Sequence, residues 1–233
     1  MPKKNRIEPD GEWVLDRDQQ PKFIRRDEMD DPIDPQEFWK DPNAFRGRGL
    51  DSYIDLCVPS EYFGYAHFSI RLVRAITAHI GFGARILELG CSVGRNLHYL
   101  REAGYENLTG VEINPESCAL AREWFKTSGD DEWVQIINSP IEEYISGIIL
   151  PKFDVIFTQG VLMHLPLASN WVFAAIASHA DKLIVTHEVE ETGGIGEEFK
   201  WARNYKEVFA AYGFEQIEET IYSPQILRVM RKK

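Results

Sequence analysis

The chain has 233 residues, of which 44% are hydrophobic and 27% charged, a composition typical of a soluble globular protein that can bury one large core. The net charge of −11 argues against a protein that binds nucleic-acid phosphates. The sequence has no run of about 18 apolar residues that would predict a membrane span. The first residues lack the apolar core of a signal peptide, and the three scattered cysteines predict neither disulfides nor a metal site, so a cytoplasmic location is expected.

Residues 1–60 are predicted to form an N-terminal arm or cap, partly ordered, ahead of a main domain at 61–233. Prolines recur through the arm, and residues 27–41 carry seven acidic side chains without a sustained apolar period. Two interpretations stand open: a solvated arm that packs its aromatic side chains onto the main domain, or a cap over a substrate pocket. Some order is expected because the arm holds Trp13, Phe23, Phe38, Trp39 and Phe45.

The segment 67–80 has apolar residues at helical spacing, which predicts an amphipathic helix ahead of the first buried strand, at 86–89. That strand leads through Gly90 and Gly94 into a helix expected over 97–103. A short apolar strand that feeds a helix through glycines is typical of a nucleotide-type site, because glycine lets the backbone approach a ligand closely.

The spacing of this turn, acidic-x-Gly-x-x-x-Gly, differs from the Gly-x-Gly-x-x-Gly of dinucleotide sites. Glu88 stands two positions before the first glycine, where its charge would repel a pyrophosphate and attract a cation. The pattern therefore predicts a positively charged nucleoside without phosphates.

A second strand is expected over 108–113 and carries Glu112, 18 positions after Gly94. That separation holds one helix and one strand, so the carboxylate reaches the carboxyl edge of the sheet beside the glycine turn. A carboxylate in that place can accept hydrogen bonds from both hydroxyls of a ribose.

The stretch from Glu88 to Asn96 and the strand Gly110-Val111-Glu112-Ile113-Asn114 together resemble the motifs of the class I S-adenosylmethionine-dependent methyltransferases, and the resemblance covers roughly residues 60 to 233. It implies an α/β fold with a Rossmann-like, doubly wound, seven-stranded and mostly parallel sheet that has an antiparallel C-terminal hairpin strand. It also implies S-adenosyl-L-methionine as the cofactor and S-adenosyl-L-homocysteine as the product.

The residues expected to bind this cofactor are Glu88, Gly90, Cys91, Ser92, Gly94, Asn96, Glu112, Ile113, Ser139, Ile141, Gln159, Tyr53 and Tyr62. In the family, aromatic residues before the first motif often fold over the cofactor, although ordinary packing at a helix start explains the two tyrosines equally well. The family usually has an acidic residue near position 139 to contact the adenine. Here Ser139 and the backbone of Ile141 are the expected substitutes, with Glu142 as an alternative.

Helices are expected further along the chain at 116–126, 167–180 and 204–212, and strands at 133–138, 153–158, 181–188, 214–221 and 225–230. The last two strands are joined by a tight turn and must therefore be antiparallel. Polar residues end two of the parallel strands, at the edge where ligands bind in an open α/β sheet.

Those strand ends supply three candidates for a general base, namely His164, His187 and Glu188. His164 ranks first because the pKa range of histidine suits proton removal near neutrality. A structural histidine in the loop after the fourth strand, and a solvated end of the fifth strand, are the competing interpretations. A base is needed only when the acceptor must lose a proton.

The leading hypothesis is methyl transfer to an oxygen or nitrogen atom of a small molecule, such as a sugar or an amine. The segments 157–164 and 203–205 resemble bacterial small-molecule methyltransferases of type 11/12, including those of nonulosonic acid pathways. The fourth strand lacks the Asp/Asn-Pro-Pro-aromatic signature of enzymes that methylate base amines, and no paired-glutamate hairpin of arginine methyltransferases follows it. Two alternatives remain, a protein or RNA methyltransferase and a non-catalytic cofactor-binding sensor or assembly protein. The expected partner is a small-molecule substrate, without nucleic acid or membrane, for a monomer or a homodimer.

Overall fold

The computed structural model describes residues 11–15, 21–25, 34–46, 66–147, 150–190, 200–222 and 224–233. Its strands are β1 (Gly11–Leu15), β2 (Pro21–Arg25), β3 (Arg85–Leu89), β4 (Asn107–Glu112), β5 (Val134–Asn138), β6 (Phe153–Gln159), β7 (Ala180–Val189), β8 (Phe214–Tyr222) and β9 (Gln225–Lys232). Its α-helices are α1 (Pro35–Lys40), α2 (Ala66–Thr77), α3 (Arg95–Glu102), α4 (Pro115–Ser128), α5 (Ile141–Ile145), α6 (Trp171–His179) and α7 (Tyr205–Ala210).

The main sheet has seven strands in the order β5-β4-β3-β6-β7-β9-β8. The first five of these are mutually parallel, whereas β9 is antiparallel to both of its neighbours, β7 and β8. The order reverses direction at β3, since the chain moves outward to one side through β4 and β5 and then returns to place β6 on the other side. Such a switch point leaves a crevice at the carboxyl ends of the central strands.

The sheet is buried on both faces, as parallel strands require. Successive residues of β3 point to opposite faces: Ile86 belongs to the core beneath α2, α3 and α4, while Leu87 and Leu89 belong to the core beneath α5, α6 and α7. All three side chains are fully buried. The apolar residues of β3 point to both faces because helices cover both faces of this central strand.

The predicted fold class is confirmed, including the mostly parallel seven-stranded sheet and the antiparallel C-terminal pair. The last strand, β9, does not lie at the edge, because it inserts between β7 and β8.

The helix expected over 167–180 is divided into a short 3-10 turn at Leu167–Ser169 and α6. Asn170 lies between the two. Its side-chain oxygen accepts a hydrogen bond from Arg203 at 3.0 Å and does not cap α6.

The N-terminal part of the chain contributes an antiparallel β1–β2 pair and the helix α1. Helix α1 begins at Pro35 after Asp34, whose carboxylate accepts a hydrogen bond from the Gln36 N–H at 2.7 Å. Phe38 is fully buried, and a 3-10 turn at Pro42–Phe45 follows. The expected boundary near residue 60 lies outside the described residues and stays a prediction.

Within the described ranges, none of the helices is long and apolar enough to cross a membrane.

Candidate functional site

A cavity of about 500 Å³ opens at the carboxyl ends of β3, β4 and β6. It brings together ten of the residues selected from the sequence, namely Glu88, Gly90, Cys91, Ser92, Asn96, Glu112, Ile113, Ile141, Gln159 and His164. The switch point of the sheet therefore collects side chains and backbone from four separate segments of the chain.

The glycine turn between β3 and α3 forms the floor of this cavity. Gly90 has φ +75°, and a side chain there would meet Val161 Cγ2 at 2.4 Å, so neither its backbone conformation nor its surroundings admit another residue. Gly94 has φ +79° and begins α3, where a Cβ atom would meet the Phe125 ring at 2.7 Å. Gly94 does not line the cavity, and its place in the motif follows from packing against α4.

Glu112, at the end of β4, ties two segments of the cavity wall together. Its carboxylate oxygens accept hydrogen bonds from the backbone N–H of Ser92 at 2.9 Å and of Asn114 at 2.8 Å. Burial raises the pKa of Glu112, and these backbone donors oppose the rise. A carboxylate has about four acceptor positions, so further hydroxyl groups in the cavity can still bind it.

Glu88 is buried at the centre of the site, with 1% of its surface exposed. One carboxylate oxygen accepts a hydrogen bond from the Asn96 amide at 2.6 Å, and the other has no hydrogen-bond partner among the described residues. Burial raises the pKa of Glu88 to about 8, although Asn96 and Arg95 act in the opposite direction. A cation in the cavity would satisfy this carboxylate.

A chain of hydrogen bonds leads from Glu88 across the cavity. The Asn96 amide also donates to the Gln159 side-chain oxygen at 3.0 Å, and Arg95 donates to the same oxygen at 3.2 Å. Behind them, Ser69 of α2 donates to the Asn96 side-chain oxygen at 2.6 Å. The network holds the polar end of β6 in register with the start of α3.

His187 lies behind Gln159 and does not line the cavity. Its ring is fully buried, and its Nδ1 lies 2.9 Å from the Gln159 side-chain nitrogen. Burial, with a smaller contribution from the Arg71 cation, lowers the pKa of His187 to about 4, so the ring is neutral. The strand end that looked solvated in the sequence is covered, and the structure assigns His187 to orienting Gln159.

Glu188 is also fully buried and does not line the cavity. Both of its oxygens accept from the Val161 N–H, at 3.1 and 2.9 Å, at the start of the 3-10 turn Leu162–His164. Burial raises the pKa of Glu188 to about 7. The geometry therefore places this carboxylate beneath the 161–166 loop, not beside a reacting group as expected from the sequence.

Arg203 holds the same loop from its other side. Its guanidinium donates to the carbonyl oxygens of Leu162, Leu165 and Pro166 at 2.9 to 3.3 Å, and to its own neighbour Trp201. Glu188 thus binds an N–H group of the 161–166 loop while Arg203 binds its carbonyl groups. Since this loop carries His164 and forms a wall of the cavity, the two charged residues determine where that wall stands.

Ser139 does not reach the cavity, because its hydroxyl turns back to the carbonyl of Pro140 at 3.0 Å. The neighbouring Ile141 and Glu142 do line it. Glu142 accepts a hydrogen bond from the Ser169 hydroxyl at 2.9 Å, which leaves carboxylate positions for another donor. Of the three residues considered for the adenine from the sequence, Ile141 and the alternative, Glu142, line the cavity, whereas Ser139 does not.

His164 lines the cavity at the end of the 3-10 turn, and its ring centroid lies 4.6 Å from that of Trp39 in α1. Pro35, Gln36 and Trp39 line the same wall, which was not assigned from the sequence. The many aromatic residues of the arm were the only hint of this wall in the sequence. The sequence could not predict the contact of Trp39 with His164, because the two residues lie more than 100 positions apart. Described residues of the arm thus form part of the cavity wall and pack an aromatic side chain onto the main domain, and the choice between the two interpretations stays a prediction.

Two predictions cannot be placed, since Tyr53 and Tyr62 lie outside the described residues. Sequence reasoning also missed Arg95 and Phe68, both of which line the cavity. Arg95 directly follows the second glycine of the motif, so the sequence could have predicted its place at the cavity. Phe68 belongs to the periodic apolar set of α2 and looked like ordinary core.

Comparison with known proteins shows which family and which solved structures this chain is similar to. Residues 87–182, from β3 into β7, match a family described as a methyltransferase domain. The match includes Glu88, Glu112 and His164, which line the cavity. No curated protein matches the chain.

Several solved structures share the fold. The S-adenosylmethionine complex of magnesium protoporphyrin IX methyltransferase from Synechocystis PCC 6803 aligns over 88% of this chain and 100% of its own, with 14% identity and a TM-score of 0.63. TehB from Haemophilus influenzae aligns over 72% of this chain and 62% of its own, with 19% identity and a TM-score of 0.57. An amino pentose methyltransferase from Micromonospora echinaspora aligns over 72% and 91%, with 16% identity and a TM-score of 0.54. At these identities the likeness establishes the fold alone.

The clamp on the 161–166 loop can be tested with Arg203→Met, which removes the donors to its carbonyl groups. We expect faster amide hydrogen exchange in that loop and a loss of roughly 1 to 3 kcal/mol in the free energy of unfolding, because buried carbonyl oxygens lose their partners. Arg231→Met is the matched control, since Arg231 is exposed. Equal exchange in the two variants would contradict the assignment.

Proposed function

We propose that this chain, whose residues 87–182 match a family described as a methyltransferase domain, is a class I S-adenosylmethionine-dependent methyltransferase that transfers a methyl group to an oxygen or nitrogen atom of a small molecule. The observation that carries the proposal is the convergence of Glu88 and Glu112 on one glycine turn in one cavity. The first carboxylate suits a cation and the second suits neighbouring hydroxyls, and the cofactor presents both.

The residues present fit that cofactor. The unpartnered oxygen of Glu88 is buried and would gain a favourable interaction from a positively charged ligand. The cavity of about 500 Å³ lies within the range of roughly 300 to 1,000 Å³ usual for small-molecule sites. In this proposal Glu112 binds the ribose, while Ile141 and Glu142 face the adenine.

When bound, S-adenosylmethionine supplies an electrophilic methyl group on a sulfonium. The acceptor's lone pair forms the new bond to the methyl carbon as the carbon–sulfur bond breaks and its electrons remain on sulfur. A hydroxyl acceptor also loses a proton, which His164 or water accepts. The other residues position the reactants and keep water out, which supplies most of the rate in a displacement of this kind.

A small acceptor is favoured by the surroundings of the cavity. Helix α1 stands over it with Pro35 and Trp39 in the wall, which narrows the access for a macromolecule. The net charge of −11 further disfavours an RNA substrate, because RNA binding depends on basic groups that release counterions.

The ribose assignment predicts that Glu112→Gln and Glu112→Ala weaken S-adenosylhomocysteine binding by at least tenfold, because charge-assisted hydrogen bonds are lost. Calorimetry measures the affinity directly. Glu116→Ala is the control, since Glu116 is exposed on α4. Unchanged affinity in a folded Glu112→Gln protein would remove the assignment.

The pKa of about 8 at Glu88 predicts a pH-dependent affinity for S-adenosylmethionine. In the free protein the carboxyl group is mostly protonated below that pH, whereas the cation binds the ionised form. We expect affinity to fall as the pH decreases from 8 to 6, by up to about tenfold per unit. Titrations of Glu88→Gln over the same range should show a flatter profile, and identical profiles would exclude Glu88 as the cause.

His164→Ala separates a base from a positioning histidine. A base role predicts a fall in kcat of about 10²-fold or more for a hydroxyl acceptor, with cofactor affinity unchanged. His164→Gln, which retains hydrogen bonding without accepting a proton at neutral pH, should be equally slow. Full turnover in both variants would show that His164 does not act as the base.

A further inference from the structure

A second cavity, of about 480 Å³, adjoins the first. Its lining includes His67, Phe68, Arg71, Val189, Tyr222 and Gln225, and it shares Phe68 and Gln225 with the first cavity. The antiparallel direction of β9 explains the position, because Gln225 begins β9 opposite Val189 near the end of β7. The two cavities therefore follow one another along the same edge of the sheet, beyond the strands that carry Glu88 and Glu112.

Arg71 is the charged group of this second cavity. It is partly exposed on α2, and its guanidinium carbon lies 4.1 Å from the centroid of the Tyr222 ring. Such stacking occupies a face of the guanidinium and leaves the N–H groups at its edge. Those groups make no hydrogen bond or ion pair with any residue that the structure describes, which leaves five donors for a ligand.

Among the described residues, three acidic side chains close in sequence to Val189 and Tyr222 are bound to other partners. Glu190 binds Arg228 through both oxygens, at 2.6 and 2.7 Å, and Glu219 pairs with the same guanidinium. Glu218, on the outer strand, accepts from His79 at 3.0 Å. Among the described residues, no carboxylate pairs with Arg71, and its positive charge favours the binding of an anion in this cavity.

The rest of the lining suits the body of such a ligand. Phe68 and Tyr222 provide aromatic surface on either side, and the His187 ring lies between them with centroids at 6.0 and 5.6 Å. Gln159, which His187 orients, lines the first cavity, to which Phe68 and Gln225 of the second cavity also contribute. A molecule held in the second cavity can therefore present one of its atoms at the end of β6.

We propose that the methyl acceptor is an acid, with a carboxylate or phosphate group bound by Arg71 in the second cavity and its nucleophilic atom at Gln159 and Gly160. This inference rests on the proposed function and specifies its substrate class. Arg71 acts as a specificity-determining residue, since a bidentate guanidinium distinguishes an acid from its neutral analogue. Stacking on the Tyr222 ring orients the guanidinium toward the acid group of the ligand.

The charge of the acceptor can be measured before its identity is known. A deproteinised extract of the source cells is separated on an anion exchanger, and each fraction is incubated with the protein and S-adenosylmethionine labelled in the methyl group. We expect label transfer with the retained, acidic fraction. Transfer confined to the unretained fraction would overturn the acidic acceptor and leave the methyltransferase function standing. Transfer with no fraction, despite normal cofactor binding, would instead contradict the function itself.

Variants then tie the effect to Arg71. Arg71→Met should raise the KM for the active fraction at least tenfold, with kcat for saturating fraction less affected and S-adenosylhomocysteine affinity unchanged. Arg71→Lys should recover part of the loss because the charge returns without the bidentate geometry. Arg74→Met removes the same charge from an exposed position one turn along α2 and should behave as the unmodified protein. Equal KM values for the Arg71→Met and Arg74→Met proteins would overturn the proposal.

Discussion

The site depends on two carboxylates that the sheet buries at the ends of neighbouring strands. A buried carboxylate is costly unless hydrogen bonds or cations compensate for lost hydration. Glu112 is compensated by backbone N–H groups, and through them it joins the glycine turn to the segment that follows β4. Among the described residues, Glu88 has a hydrogen-bond partner on one oxygen only. This asymmetry makes Glu112 a fixed part of the wall and Glu88 the group whose energy improves most when a cation arrives.

The opposite wall is held by a different use of charge. The 161–166 loop consists of buried and partly buried residues with only a short 3-10 turn, so its backbone groups need partners from outside the loop. Glu188 satisfies the N–H at its beginning and Arg203 satisfies carbonyls toward its end. Glu188, a candidate base in the sequence, is thus bound to the backbone of this loop, as is Arg203.

Two adjoining cavities lie along the carboxyl edge of the sheet. The first cavity lies at the carboxyl ends of β4, β3 and β6, and the second lies beside the end of β7 and the start of β9. His187 connects the two regions, because it contacts Gln159 on one side and the Phe68 and Tyr222 rings on the other. A neutral buried histidine at this point keeps the amide of Gln159 oriented without adding charge to the site.

The sequence by itself determined the fold class, the strand and helix positions near the site, and the two acidic positions beside the glycine turn, because these depend on local apolar periodicity and on separations along the chain. It did not decide which polar strand ends face the cavity. His187 and Glu188 alternate in direction and are both covered by other segments, and Ser139 turns to its own neighbour, so their exposure was set by packing. The same holds for Trp39, Arg203 and Arg71, whose partners lie far away in the chain. Only the tertiary structure brings those partners together, since a side chain's role at the sheet edge depends on what the rest of the chain places against it.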